Sequence, residues 1–219
     1  MRIVVINPNS SAEVTAEIAA ALAPLGDCFE VLDRPDGPAT IRTDADVAEA
    51  GRAFAARIAD WPALWPQAAG FITACFSDPG LELARAAVDL PVTGAQEAAV
   101  LEACDRAERF GVIALSEQAI PRHLTRIEAL GCRDRLVAEL PLKDVSAADS
   151  GRDPQVYGEI LRLAETLRAR GAGAIVLGCA GMAGLVARLE ADLALPVIDP
   201  VAAAGRLALI RAGAFPPAA

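Results

Sequence analysis

A single histidine, His123, a single tyrosine and only 4% aromatic residues leave this 219-residue chain short of the side chains that most often hold metals or stack on bases. With one histidine, a zinc site would have to be assembled from scattered cysteines and carboxylates, unlike the ligand spacings of structural zinc. The five cysteines, at positions 28, 75, 104, 132 and 179, are odd in number and include no Cys-x-x-Cys pair. They read as free thiols of a reducing compartment rather than as a disulfide framework. There is no basic run, and the formal net charge is −9, so a phosphate backbone or an anionic membrane surface would be repelled. Long apolar runs are missing too. The opening "MRIVVINPNSS" stops being hydrophobic at Ile6, short of a secretory h-region, and the uncharged stretch Ala172 to Ala187 is too short and too glycine-rich to span a bilayer. These absences point to a soluble, cytoplasmic protein that acts on a small molecule, binds neither nucleic acid nor membrane, and requires no metal or cofactor; a homo-oligomer is compatible with them.

What is present is aliphatic. Hydrophobic residues make up 54% of the chain, dominated by Ala, Val, Leu and Ile, which suits helices packed on a sheet. Short β-branched runs alternate with longer stretches of helical period, the pattern of an α/β fold with parallel strands. Strands are expected at 2–6, 28–33, 70–74, 91–93, 110–114, 136–140, 174–177 and 196–198. Helices are expected around 11–24, 44–60, 79–88, 96–107, 117–130, 153–170, 182–193 and 200–212.

The chain also repeats itself. "GFITACFSDPGLELARAAVDLPVTGAQEAA" (70–99) and "GAIVLGCAGMAGLVARLEADLALPVIDPVAAA" (173–204) share one plan: strand, cysteine, glycine-containing turn, Leu-rich helix, Pro-Val, Ala-rich helix. "RIVVI" and "RFGVIAL" open the two halves at similar distances upstream. The expected architecture is two pseudo-symmetric lobes, each a parallel sheet flanked by helices, with the site between them. Residues 1–98, joined by a C-terminal helix over 205–219, would form the first lobe and 99–204 the second. Cys75 and Cys179 both fall at carboxyl ends of strands, where parallel sheets bind ligands.

Two equivalent groups on opposite faces of a small molecule suit inversion at a carbon that carries an acidic proton: one removes the proton and the other delivers one. A thiol ordinarily titrates close enough to working pH for one member to be ionised while its partner stays protonated. Helix starts after each cysteine would lower both thiols, and the amides of Phe76, Ser77, Ala180 and Gly181, with the Ser77 hydroxyl, would donate to an enolate oxygen. Gly178 and Gly181 would let backbone approach a ligand, and Met182 lies on the same turn. "NPNSS" offers Asn9, Ser10 and Ser11, which serve either as helix caps or as carbonyl ligands. The equivalent loop of the second half offers Ser116 and Gln118. Cys28, at a strand start, Cys104, on a helix, and Cys132, in a turn, read as small apolar side chains. His123 reads as part of a polar helix face without a catalytic role. Either Cys75 or Cys179 alone would read as core filler; their matched placement argues otherwise.

"INPNSS", "ACFSDPGL" and "VLGCAGM" resemble the hydantoin and allantoin racemases of the aspartate/glutamate racemase superfamily, and "PVTGAQEAA" and "PVIDPVAAA" extend the resemblance over nearly the whole chain. The resemblance implies two pseudo-symmetric α/β lobes, no cofactor, Cys75 and Cys179 as acid and base, and substrate contacts from Asn9 and the backbone around Cys179 and Gly181. One departure is Ala114-Leu115-Ser116, where similar hydantoin racemases carry threonines, and it bears on ring preference. The similar arylmalonate decarboxylases lack the first cysteine, and maleate isomerases keep both but match the motifs less well. Racemisation of a 5-substituted hydantoin or of allantoin is therefore the expected activity. The site loops carry no Arg or Lys beside either cysteine, which weighs against free aspartate or glutamate. The rivals are an amino-acid racemase or cis–trans isomerase on this scaffold, and a non-catalytic binding or thiol-sensing protein.

Overall fold

Arg2–Ile6 forms β1 because its alternate side chains have apolar layers to enter on both sides: Ile3 and Val5 face one core cluster, Val4 and Ile6 another, and all four are buried. Strands buried on both faces are those of a parallel sheet covered by helices. The computed structural model, which describes residues 1–214, continues with α1 (Ala12–Leu22), β2 (Phe29–Leu32), α2 (Asp44–Ala59), α3 (Trp61–Leu64), β3 (Ala68–Thr73), α4 (Leu81–Ala87), β4 (Val92–Gly94) and α5 (Ala95–Arg106). The second half runs β5 (Phe110–Ala114), α6 (Ile120–Ala129), β6 (Leu136–Pro141), α7 (Pro154–Ala169), β7 (Ala174–Gly178), α8 (Val186–Leu193), β8 (Val197–Ile198) and α9 (Pro200–Arg211).

The two sheets have the same order, β2-β1-β3-β4 and β6-β5-β7-β8, and every pairing is parallel. The α/β reading with two matching parallel sheets therefore holds. In each sheet the chain reverses its direction of travel between the first and third strands of that half, so β1/β3 and β5/β7 are the switch points. Cys75 follows β3 and Cys179 follows β7. The helix α5 packs on β7 of the second sheet, while α9 returns to pack on β3, β4 and α1. Arg206 to Glu102 at 2.7 Å and Arg211 to Glu97 at 2.9 Å stitch α9 to α5. Ile3, Val5 and Ile72 belong to a core that continues without a break to Val112, Ile175 and Val176.

Several boundaries shift. Strand β2 starts at Phe29, which leaves Cys28 in the preceding turn, and the short α3 has too few residues to show a period. The stretch expected to be helical from 182 is a 3-10 turn over Ala180–Leu185 followed by α8. Helix α4 begins only at Leu81, because Asp78 (φ 45°) and Gly80 (φ 71°) both turn left-handed before it. Of the C-terminal segment expected as helix 205–219, α9 covers the part to Arg211, and residues 215–219 lie outside the described residues. Among the described residues no helix is long and apolar enough to cross a membrane.

Candidate active site

Both thiols line one cleft, a narrow one of about 40 Å³ that is partly open to solvent. Of the residues proposed from sequence, Asn9, Phe76, Ser77, Ser116, Gly178 and Ala180 line it, together with Val14, Thr40, Leu115, Ala119, Arg122, His123 and Ala147.

Four expected contacts fall elsewhere. Ser10 turns toward the 34–38 loop, its N–H donating to Pro38 O. Gln118 is exposed, and its carbonyl accepts from Arg122. Met182 is wholly buried in the core. Gly181 lies under the 144–152 loop, where a Cβ would come within 2.1 Å of Ala147 O. At Gly178 a Cβ would meet Ile113 O at 2.5 Å. Both glycines therefore make room for neighbouring backbone.

The loop after β1 is built from its own amides. Ser11 is the side chain that caps α1, accepting from Val14 N at 3.2 Å. Asn9 Oδ1 accepts from Asn7 Nδ2 and from Ser11 N, each at 2.9 Å. With both acceptor positions of that oxygen filled, the NH₂ of Asn9 is the end left for a ligand carbonyl.

The thiols differ from expectation in their acidity. Burial of the sulfur pushes Cys75 up to about 12 despite a hydrogen bond from Ser77 N–H, and the charge of Cys179 pushes the same way. Burial raises Cys179 as well, against the opposing effects of Gly181 N–H and of Ser150, whose Oγ lies 3.8 Å from the sulfur. The helix starts do not reverse this. Helix α4 begins well beyond Cys75, and only a 3-10 turn follows Cys179. The charge of Cys179 also disfavours a second thiolate beside it, so the pair gives up one proton before the other.

A motif expected only to form a turn anchors Cys75. The N–H of Asp78 donates to Cys75 O at 2.9 Å, and the Asp78 carboxylate accepts from Gln96 N at 2.8 Å and Glu97 N at 2.9 Å at the start of α5. Gly94 occupies the cap position of that helix, and a Cβ there would lie 2.4 Å from Asp78 Cγ. In the second half the cap residue itself, Asp199, accepts from Val201 N and Ala202 N. The same carboxylate position is thus filled from the cysteine loop in one lobe and from the helix in the other.

Two cleft residues on α6 were not singled out for the site from sequence. Arg122 donates through Nε to Ser77 Oγ at 3.0 Å, through Nη1 to Asp44 at 3.0 Å and Gln118 O at 3.1 Å, and through Nη2 to Arg42 O at 3.0 Å. His123 is buried, 2% exposed, rather than part of a polar surface. Its Nε2 lies 3.0 Å from Ser77 Oγ and its Nδ1 2.6 Å from Glu139 Oε1, while its ring stands edge-on to Phe76 at 4.9 Å. Nothing local in the sequence of α6 says that the face carrying Arg122 and His123 meets the cleft.

The model of the Asp/Glu/Hydantoin racemase family matches residues 3–208. The chain belongs to that family. A hydantoin racemase of Rhizobium meliloti is 37% identical, over 98% of this chain and 90% of that protein. One of Paenarthrobacter aurescens is 35% identical, over 95% and 89%. Among solved structures, the allantoin racemase from Klebsiella pneumoniae superposes with a TM-score of 0.86 at 31% identity, over 100% of this chain and 95% of that one.

Proposed function

We propose that this racemase inverts the carbon α to a carbonyl in 5-substituted hydantoins or allantoin, with Cys75 and Cys179 as the acid–base pair and no cofactor. Residues 1–98 and 99–204 are the lobes that each deliver one thiol, and the enzyme works in the cytoplasm, where thiols stay reduced. The observation that carries the reading is the presence of both cysteines, at equivalent strand ends of matching sheets, in a single cleft. The thiolate removes the α-proton from one face, and the thiol protonates the planar carbanion from the other. Asn9 NH₂ donates to the carbonyl oxygen that gathers charge. A neutral ring fits better than a free amino acid, because Arg122 already gives four of its five N–H groups to Ser77, Asp44 and two backbone carbonyls.

The test is a panel of enantiopure hydantoins, allantoin, aspartate and glutamate followed by loss of optical rotation, with Cys75→Ser and Cys179→Ser run alongside. Each variant is expected to lose racemisation while still exchanging the α-hydrogen of one enantiomer in heavy water. Full racemisation by either variant would sink the two-thiol scheme.

A further inference from the structure

With His123 as the neutral imidazole, the hydrogen bonds around Ser77 take one direction, set by the chemistry of their ends. A guanidinium only donates, so Arg122 Nε–H gives its proton to Ser77 Oγ. A carboxylate only accepts, so the proton between Glu139 and His123 sits on Nδ1. The Nε2 atom of that tautomer is an acceptor, and the Ser77 hydroxyl donates to it. Every bond from Arg122 through Ser77 and His123 to Glu139 then points the same way, from cation to anion. Glu139 has no competing partner: among the described residues, its Oε2 is the one buried side-chain nitrogen or oxygen without a hydrogen bond. Its side chain is 1% exposed and that of His123 2%, so solvent does not scramble the order.

A hydroxyl offers one proton and two lone pairs. Ser77 has given its proton to His123 and one lone pair to Arg122, and it lines the cleft with the other lone pair free. It is therefore an acceptor, the opposite of the enolate donor that its place beside Cys75 suggests. Resting on the racemase reading of this cleft, we propose that Ser77 receives an N–H of the substrate ring, and that His123 and Glu139 are positioning residues that hold it in that polarity. Asn9, with its NH₂ toward the cleft, reads a carbonyl. An amide or ureide edge, N–H beside C=O, presents the complementary pair, and a hydantoin carries it.

Ser77, His123 and Glu139 also stand in the order of a hydrolase triad. Arg122 sits on the hydroxyl oxygen, however, and the amide of Ser77 is committed to the Cys75 sulfur, so a nucleophile here would lack its oxyanion donor.

The experiment is calorimetric binding of 5,5-dimethylhydantoin, which has no α-proton to lose, and of its 1-methyl and 3-methyl derivatives. The wild type is expected to bind one methyl derivative at least about tenfold more weakly than the parent, because a buried acceptor left unpaired is costly. In Ser77→Ala that penalty should fall to about twofold or less. Glu139→Gln can turn its NH₂ toward Nδ1, which moves the imidazole proton to Nε2 and releases the Ser77 hydroxyl as a donor. The same penalty should shrink there with the melting temperature retained, a change that a merely structural role would not produce. An unchanged methyl penalty in Ser77→Ala means exclusion by shape and overturns the inference, as does covalent labelling of Ser77 by a fluorophosphonate. If the parent ring does not bind the wild type, the inference falls together with the hydantoin assignment. If hydantoins are racemised but the methyl penalty is insensitive to both substitutions, the inference alone falls.

Discussion

The two lobes fill one carboxylate position in different ways, which makes the position exchangeable. Removing the carboxylate by Asp78→Gly leaves the N–H groups of Gln96 and Glu97 unpaired in a buried site. Glycine suits the left-handed backbone at 78, so the backbone adds no cost. Burial pushes this carboxyl up to about 7, so its ionised form gains less than an exposed cap would. The low end of the unpaired-donor scale applies, about 1 kcal/mol for each N–H and about 2 kcal/mol in all. For a chain of this size that lowers the melting temperature by about 4–8 °C. Gly94→Asp alone forces a Cβ to 2.4 Å from Asp78 Cγ and sets two carboxylates in one place, at a cost of about 3 kcal/mol.

The double variant should recover most of this loss. Gly94 has φ −91° and ψ 146°, close to the −81° and 122° of Asp199, so an aspartate at 94 can cap α5 as Asp199 caps α9. The expected stability lies within about 1 kcal/mol of wild type, where additivity would give a loss of about 5 kcal/mol. Denaturant unfolding of all four proteins at pH 8 measures the cycle. A double variant no more stable than Gly94→Asp refutes the shared-position argument. The rescued cap no longer belongs to the Cys75 loop, so racemisation should stay at least about tenfold below wild type even as stability returns. Full activity in the double variant would show that the tether does not position the thiol.

Three further outcomes follow from the same geometry. In the free enzyme, alkylation of Cys75 by iodoacetamide, followed site by site with mass spectrometry, should keep rising with pH to about pH 11, because a thiol raised from 9.0 to about 12 carries roughly a thousandfold less thiolate at pH 8; a plateau near pH 8 contradicts this. Burial raises Asp199 from 3.8 to about 6, so its contribution to stability is complete below pH 3.8 and is lost as pH rises through 6, about 3 kcal/mol in all. Asp199→Asn should flatten the decline in unfolding free energy between pH 4 and pH 7 by that amount, and an unchanged slope would refute it. Arg122→Leu should cut kcat/KM at least about tenfold, since it frees the 42–44 segment from α6 and removes a donor from Ser77; wild-type kinetics would show that the guanidinium is ornamental.

What was legible in the sequence is what occurs twice. The strands, the helices and the cysteines at equivalent turns announce themselves because each half corroborates the other, and duplicated groups are what proton transfer to two faces of one carbon demands. A repeat is silent about anything that only one lobe possesses. Arg122 and His123 reach the cleft because α6 packs there, the Asp78 carboxylate reaches the start of α5 because Gly94 has no side chain, and the partner of His123 lies on another element, at Glu139; none of these juxtapositions leaves a periodicity. Yet the substrate itself has no two-fold symmetry. The enantiomers of the proposed hydantoin substrate exchange a hydrogen between faces while the ring N–H and C=O groups stay put, so a site made only of repeated parts could move the proton but could not hold that ring in one register. In the proposed reading that work falls to single-copy residues: Asn9 in the loop after β1, and Ser77 in the polarity that α6 and β6 give it. The two thiols meet different surroundings for the same reason, Cys75 beside the Arg122 network and Cys179 beside Ser150. The rates in the two directions should therefore respond unequally to substitutions in the Ser77 network, with KM following to keep the overall equilibrium between enantiomers at unity.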